Sequence, residues 1–312
     1  MSTPTTSKQY CSQISTRAGE SLPGTATRTQ AFFLLEYPGA WGEKAFEDAD
    51  LPQPVKGYLA AQAQATQDAR ILLIRGDPGS IKVVHFFLAL VAEGEEALFE
   101  FQLLDYESLL SLDIADVIAD PDNYLEYRRA APLFLVCTHG RRDACCARFG
   151  LPVYQALREQ FGEMVWQCSH VGGHRFAANL LFLPSGLLYG RVGSDNATSI
   201  VQAMFEGHIA GENYRGRVSY PPPAQAAEYA LRETLGQTGL HAFRLFSVEQ
   251  TEPGRWRARF LERSTRQTHQ LILLAEPKDI QVFDSCRMEK AVAVVEYRLV
   301  EFRSFDAAPG VA

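Results

Sequence analysis

A mixed α/β protein in three units is what the sequence predicts. Apolar runs of strand length recur between segments of helical composition and spacing. Two of those runs, Leu133 to Val136 and Met164 to Trp166, each lead into a loop carrying cysteine and histidine. Three successive prolines, Pro221 to Pro223, then separate the preceding chain from a C-terminal stretch that alternates in the strand manner. With 312 residues, 46% hydrophobic and 21% charged, the chain can bury a core and supply two or three domains.

In order, residues 1–27 read as a polar lead-in whose distinctive points are Cys11 and Gly19-Glu20. Ala31 to Tyr37 reads as a buried strand that Pro38-Gly39 ends. Val55 to Gln67 has helix-forming composition, strands follow at Arg70 to Arg75 and Val83 to Val91, and an apolar segment runs from Ala97 to Leu104. Ser108 to Ile118 has the pattern of a short helix. These elements make an N-terminal α/β domain over 28–127, without a cysteine inside it.

The middle domain, 128–220, opens with the strand Leu133 to Val136. Pro152 suits a first helical turn, Val153, Leu157 and Phe161 give the helix its apolar stripe, and Gly162 closes it. Met164 to Cys168 is the next strand. Asn179 to Leu183 and Leu187 to Val192 form a hairpin across Pro184-Ser185-Gly186, and Ser194 or Asp195 caps a last helix. Over 221–312 a helix from Ala224 to Leu235 precedes strands at Ala242 to Val248, Arg255 to Leu261, Gln270 to Leu274 and Val292 to Val300. That unit is a small α+β module, with Cys286 beside a polar turn.

The formal net charge of -7 and the lack of a basic stripe argue against a nucleic-acid binder. Neither a secretory leader nor an apolar run of about 20 residues is present, so no membrane partner is expected and a cytoplasmic location is the default. Six cysteines are too few for a disulfide scaffold, and four of them, Cys137, Cys145, Cys146 and Cys168, fall in one region. Clustered thiols in a reducing compartment point to a metal or redox site.

Thiolate and neutral imidazole both suit zinc and iron-sulfur iron, so ligand type alone leaves both metals open. His170 and His174 have the spacing of a zinc-protease helix, but Val171 stands where its glutamate would be and Gly172-Gly173 weaken a helix. Cys145-Cys146 are adjacent, which removes a C-x-x-C dithiol. A nucleophile pair of Cys137 and His139 lacks an evident orienting group.

The segments from Val136 to Ala147 and from Cys168 to Asn179, with Cys137-Thr138-His139-Gly140 and His170-Val171-Gly172-Gly173-His174 at their centres, resemble the sucrase/ferredoxin-like family. The resemblance implies a thioredoxin-like ferredoxin fold for the middle domain and a two-iron two-sulfur cluster held by Cys137, one of the paired cysteines, His170 and His174. The Cys-Ala-x-x-Gly register of such ferredoxins favours Cys146 over Cys145. An N-terminal domain of similar element order is expected to repeat the fold without a cluster.

On this reading the protein is an electron carrier or redox-responsive protein with an unidentified redox partner and no substrate chemistry of its own. Two imidazoles in place of two thiolates raise the cluster potential, as in Rieske centres at roughly -150 to +300 mV, and couple it to pH. A structural zinc module is the alternative. Sucrose hydrolysis, which the family name invites, needs paired carboxylates, and none here is tied to a sugar site. Asp143, Arg141, Arg142 and Arg175 are candidates to tune the site or dock a partner.

Overall fold

The structure, a computed structural model, describes residues 9–76 and 83–306. The first eight residues of the expected lead-in and the last six of the C-terminal unit lie outside it. In chain order the elements are α1 (Cys11–Arg17), β1 (Ala31–Glu36), α2 (Ala45–Asp48), α3 (Gln53–Ala65), β2 (Ala69–Arg75), β3 (Val84–Leu90), β4 (Ala97–Leu103) and α4 (Ile114–Ala119). There follow β5 (Leu133–Cys137), α5 (Ala144–Phe161), β6 (Val165–Cys168), β7 (Leu180–Leu183), β8 (Leu187–Tyr189), α6 (Ala197–Phe205) and β9 (Tyr214–Arg217). The chain ends in α7 (Pro222–Leu235), β10 (Phe243–Glu252), β11 (Arg255–Glu262), β12 (Thr268–Phe283) and β13 (Ala291–Phe305).

Nine strands form one sheet in the order β4-β3-β1-β2-β6-β5-β7-β8-β9. Its two halves repeat one pattern. In each half the first strand runs parallel to the second and antiparallel to the third, and the third is antiparallel to the fourth. The halves join edge to edge where β2 meets β6 antiparallel, through Ile74 opposite Cys168 and Arg75 opposite Gln167. The sheet therefore runs without a break across the boundary expected near residue 127.

All six residues of β1 are buried because this central strand packs on both faces. Phe33 and Leu35 pack with Val55 and Leu59 of α3, whereas Phe32 and Leu34 face a second cluster with Leu135, Cys137, Trp166 and Leu181. β5 alternates likewise: Phe134 and Val136 meet Val153 and Leu157 of α5, while Cys137 turns to the interior shared by both halves. The second sheet, β10-β11-β12-β13, is antiparallel throughout, and Ala224, Ala227 and Leu231 of α7 cover its apolar face.

Several boundaries differ from the sequence expectation. Residues 9–27 are ordered and partly buried, with Cys11 and Ser15 inaccessible in α1. Residues 108–118 split into a tight turn, Glu107–Ser111, and α4, whose first turn Asp113 caps through its Oδ1 and the Asp116 N–H at 3.0 Å. α5 begins eight residues before Pro152, which lies in its interior. The strand from Leu187 stops at Tyr189, because the chain turns at Arg191 with a φ of 53°. Pro222 and Pro223 start α7 rather than extend a linker, as proline in a first turn forfeits only an N–H that has no helical partner. Asn196, without a side-chain cap, precedes α6 in place of Ser194 or Asp195.

Candidate metal centre

β5 and β6 are parallel neighbours with Cys137 opposite Cys168, so the loops that follow them leave the sheet at the same end. One loop turns into α5. Asp143 caps that helix by accepting the Cys145 N–H at 2.8 Å, which places Cys145 and Cys146 in its first turn. Gly150 brings the helix against the strand end: a Cβ there would stand 2.2 Å from the Cys137 carbonyl oxygen. Gly150→Ala is expected to force the two apart and to lower stability by about 1–3 kcal/mol. Urea unfolding checks this, and an unchanged midpoint would show that the approach is not tight.

The histidine loop is held by its backbone. Arg70 donates to the carbonyls of His170 at 2.9 Å and Val171 at 2.7 Å, Arg215 to that of Gly172 at 3.1 Å, and Asn179 to that of Gly173 at 3.0 Å. Four successive carbonyls are thus fixed. Gly172 and Gly173 have φ of 99° and 70°, which side-chain-bearing residues rarely adopt, and a Cβ on Gly173 would lie 2.4 Å from the Arg215 guanidinium. Arg215 is buried, and that burial lowers its guanidinium to about 9, where it still carries its charge at neutral pH.

Ligand atoms of Cys137, Cys146 and His170 lie within 4.8 Å of one another. Cys146 Sγ is 3.8 Å from His170 Nδ1. His174 is outside that trio, but its ring centroid is 5.1 Å from that of His170, and its buried Nδ1 has no hydrogen-bond partner. A buried imidazole nitrogen left unpaired, on a ring that packs against His170, fits a metal ligand, since such an atom otherwise loses its solvation without return. The Cys137 and Cys146 thiols act on each other: the Cys146 thiol, followed by His170, outweighs burial and holds Cys137 low, while Cys137 and burial push Cys146 up, and burial lowers His174.

The remaining candidates separate. Cys168 is fully buried in the core, where desolvation pushes its thiol up. Cys145 points away from Cys137 toward Cys11 and Cys286, its Sγ 3.5 and 3.1 Å from theirs. His139 meets the Gly42 carbonyl through Nε2 at 2.6 Å and packs edge-on against Trp41. Arg175 pairs with Glu20 at 2.8 Å and covers Phe176. Arg141 and Arg142 are exposed, and Arg142 lines an open cleft of about 480 Å³ with Lys44, Arg70, His139 and His170. Asp143 is buried, and its carboxylate accepts N–H groups from Cys145 and, at 2.7 Å, from Cys286.

Sequence reasoning missed Arg70, Arg215 and Asn179. The two arginines lie 100 positions before and 45 after His170, with no spacing to mark them. Their signal is the run of carbonyls they hold, which only the folded chain shows.

A family model described as sucrase/ferredoxin-like matches residues 22–216. Among curated proteins, "Altered inheritance of mitochondria protein 32" of Debaryomyces hansenii is 32% identical over 97 residues, 28% of this chain and 36% of that protein. The protein of the same name from Candida glabrata is 32% identical over 125 residues, 35% of this chain and 38% of its own length. That from Saccharomyces cerevisiae is 32% identical over 99 residues, 27% and 32% of the two chains. The matched stretch therefore spans under two-fifths of these relatives. No solved structure matches.

Proposed function

The chain belongs to the sucrase/ferredoxin-like family, and from that premise we propose that it is an electron-transfer protein in which Cys137, Cys146, His170 and His174 hold a two-iron two-sulfur cluster. The observation that carries the reading is the convergence of two thiols and His170 within 4.8 Å, beside the unpartnered, buried His174 Nδ1. Such a cluster supplies one-electron transfer. The strand order β6-β5-β7-β8, with α5 crossing between the parallel pair, supports a thioredoxin-like middle domain, and β2-β1-β3-β4 supports a cluster-free repeat of it.

The chain's own residues divide the work. Cys137 and Cys146 bind from the strand end and the helix start, while Arg70, Arg215 and Asn179 fix the loop that presents both imidazoles. The burial of Cys137 and Cys146 keeps water from the sulfurs. The exposed Lys44 and Arg142 at the neighbouring cleft offer a redox partner protein a place to dock. All six cysteines are free, which accords with work in a reducing compartment such as the cytoplasm. Among the described residues no helix is long and apolar enough to cross a membrane.

Hydrolysis of sucrose is not favoured: Asp143, the carboxylate of this loop, has both oxygens engaged by backbone N–H groups. Structural zinc is the competing occupant, since two thiolates and two imidazoles suit it too. Protein purified without oxygen should be coloured, with iron and acid-labile sulfide in equal amounts; a colourless protein holding zinc at these ligands overturns the cluster. His174→Cys restores a negative charge to the ligand set. The reduction potential of that variant should fall while the cluster remains, and an unchanged potential would show that His174 is not a ligand.

A further inference from the structure

We propose that Cys11, Cys145 and Cys286, with the Asp143 carboxylate, form a second metal site that takes a zinc-class divalent ion. The three sulfurs come from α1, from the first turn of α5 and from the turn between β12 and β13, so residues far apart in sequence meet at one point. Their separations are 3.5 Å for Cys11 to Cys145, 3.1 Å for Cys145 to Cys286 and 3.7 Å for Cys286 to Cys11. Thiolates bound at about 2.3 Å to a tetrahedral zinc stand roughly 3.7 Å apart, so the triangle is close to the face such an ion occupies. Asp143 Oδ1, 3.9 Å from Cys11 Sγ, stands within the same 4.8 Å group and supplies the fourth donor.

The surroundings are those of a built site. Asp143 is fixed by the N–H groups of Cys145 at 2.8 Å and Cys286 at 2.7 Å, each using one lone pair of a different oxygen and leaving others for a cation. Ser12 donates from Oγ to Cys145 Sγ at 3.2 Å, the kind of outer hydrogen bond that orients a thiolate ligand. Cys11 and Cys145 are inaccessible, whereas Cys286 is only partly buried and leaves an entry path.

Chemistry favours zinc over the obvious rivals. A disulfide uses two sulfurs and leaves the third without purpose, and three thiols drawn around one carboxylate match a soft divalent ion with no redox change. Binding forms three metal–sulfur bonds and releases the three thiol protons to solvent. No donor is shared with Cys137, Cys146, His170 or His174, so this site stands or falls apart from the cluster. What it fastens is the N-terminal helix, the cysteine loop and the C-terminal hairpin.

The test is metal analysis of the full-length protein, with Cys11→Ser and Cys286→Ser set beside Cys137→Ser. The wild type should hold one zinc per chain in addition to iron. Both outer variants should lose that zinc and keep the iron, while Cys137→Ser should lose iron and keep zinc. Should the outer serine variants fold poorly, cobalt added to metal-free Cys137→Ser protein, whose first site is broken, reads the second site directly, through thiolate charge-transfer and tetrahedral d–d absorption that zinc abolishes. Zinc content unchanged in both outer variants, cobalt absorption absent, or a disulfide joining two of the three cysteines in protein isolated under reducing conditions would each overturn the proposal.

Discussion

Cys146→Ser is expected to leave a folded protein that binds iron at a small fraction of the wild-type level, whereas Cys145→Ser keeps the wild-type amount. The two cysteines are adjacent in the first turn of α5, and successive helical residues point about 100° apart. Cys146 is turned to Cys137 and His170, and Cys145 to Cys11 and Cys286. A serine oxygen is a poor substitute for a thiolate on iron. Iron and sulfide analysis of the two purified variants decides the matter: wild-type iron in Cys146→Ser, or loss in Cys145→Ser alone, would reverse the assignment.

The second large effect lies away from the ligands. Glu228 of α7 sits between two buried guanidiniums, accepting from Arg217 at 3.1 Å and Arg232 at 2.9 Å, with the Tyr214 hydroxyl donating at 2.9 Å. This group ties the end of the nine-stranded sheet to the helix that covers the second sheet. Glu228→Ala leaves both cations buried and uncompensated, which should cost about 3–5 kcal/mol. Burial alone would raise the Glu228 carboxyl, but Arg232 and Arg217 outweigh it and hold the group below its ordinary value. A carboxylate so depressed stabilises the fold above its unfolded pKa, about 4.3, and loses that contribution as pH falls through the folded value. Denaturant unfolding should therefore show a full difference between wild type and variant near pH 7 that shrinks in acid. A constant difference would mean that the charge is not what matters.

Apart from the one-turn α2, strand and helix order from Ala31 to Phe205 was legible because apolar periodicity is strong wherever an element packs against the sheet. The start of α5 was not. Thr138 to Asp143 has the polarity of a loop, and Pro152 invites a first-turn reading, yet Asp143 caps the helix and close approach through Gly150 sets its path. β12 and β13 run longer than read because their distal halves are exposed and polar, so the alternation that marks a strand fades. In the candidate centre, Cys137 and His170 stood out because they stand at the ends of two neighbouring strands, whereas Cys146 was preferred to Cys145 only through the register of the family that the segment resembles. Cys11 and Cys286 did not, since nothing in spacing links two cysteines at opposite ends of a chain to a third in its middle.

The short ladder between β2 and β6 bears on how this chain is made. An exposed strand edge offers unpaired N–H and C=O groups to any passing strand. β2 carries Ile71-Leu72-Leu73-Ile74, and Val165, which opens β6, lies 90 positions beyond Arg75. At about 5–20 residues per second, ribosomal synthesis leaves the finished N-terminal half with that edge uncovered for roughly 5–20 s. During that interval the nascent chain is most open to sticking to its neighbours on a polysome, and the arrival of β6 covers the end of that edge at Ile74 and Arg75 from within a single molecule.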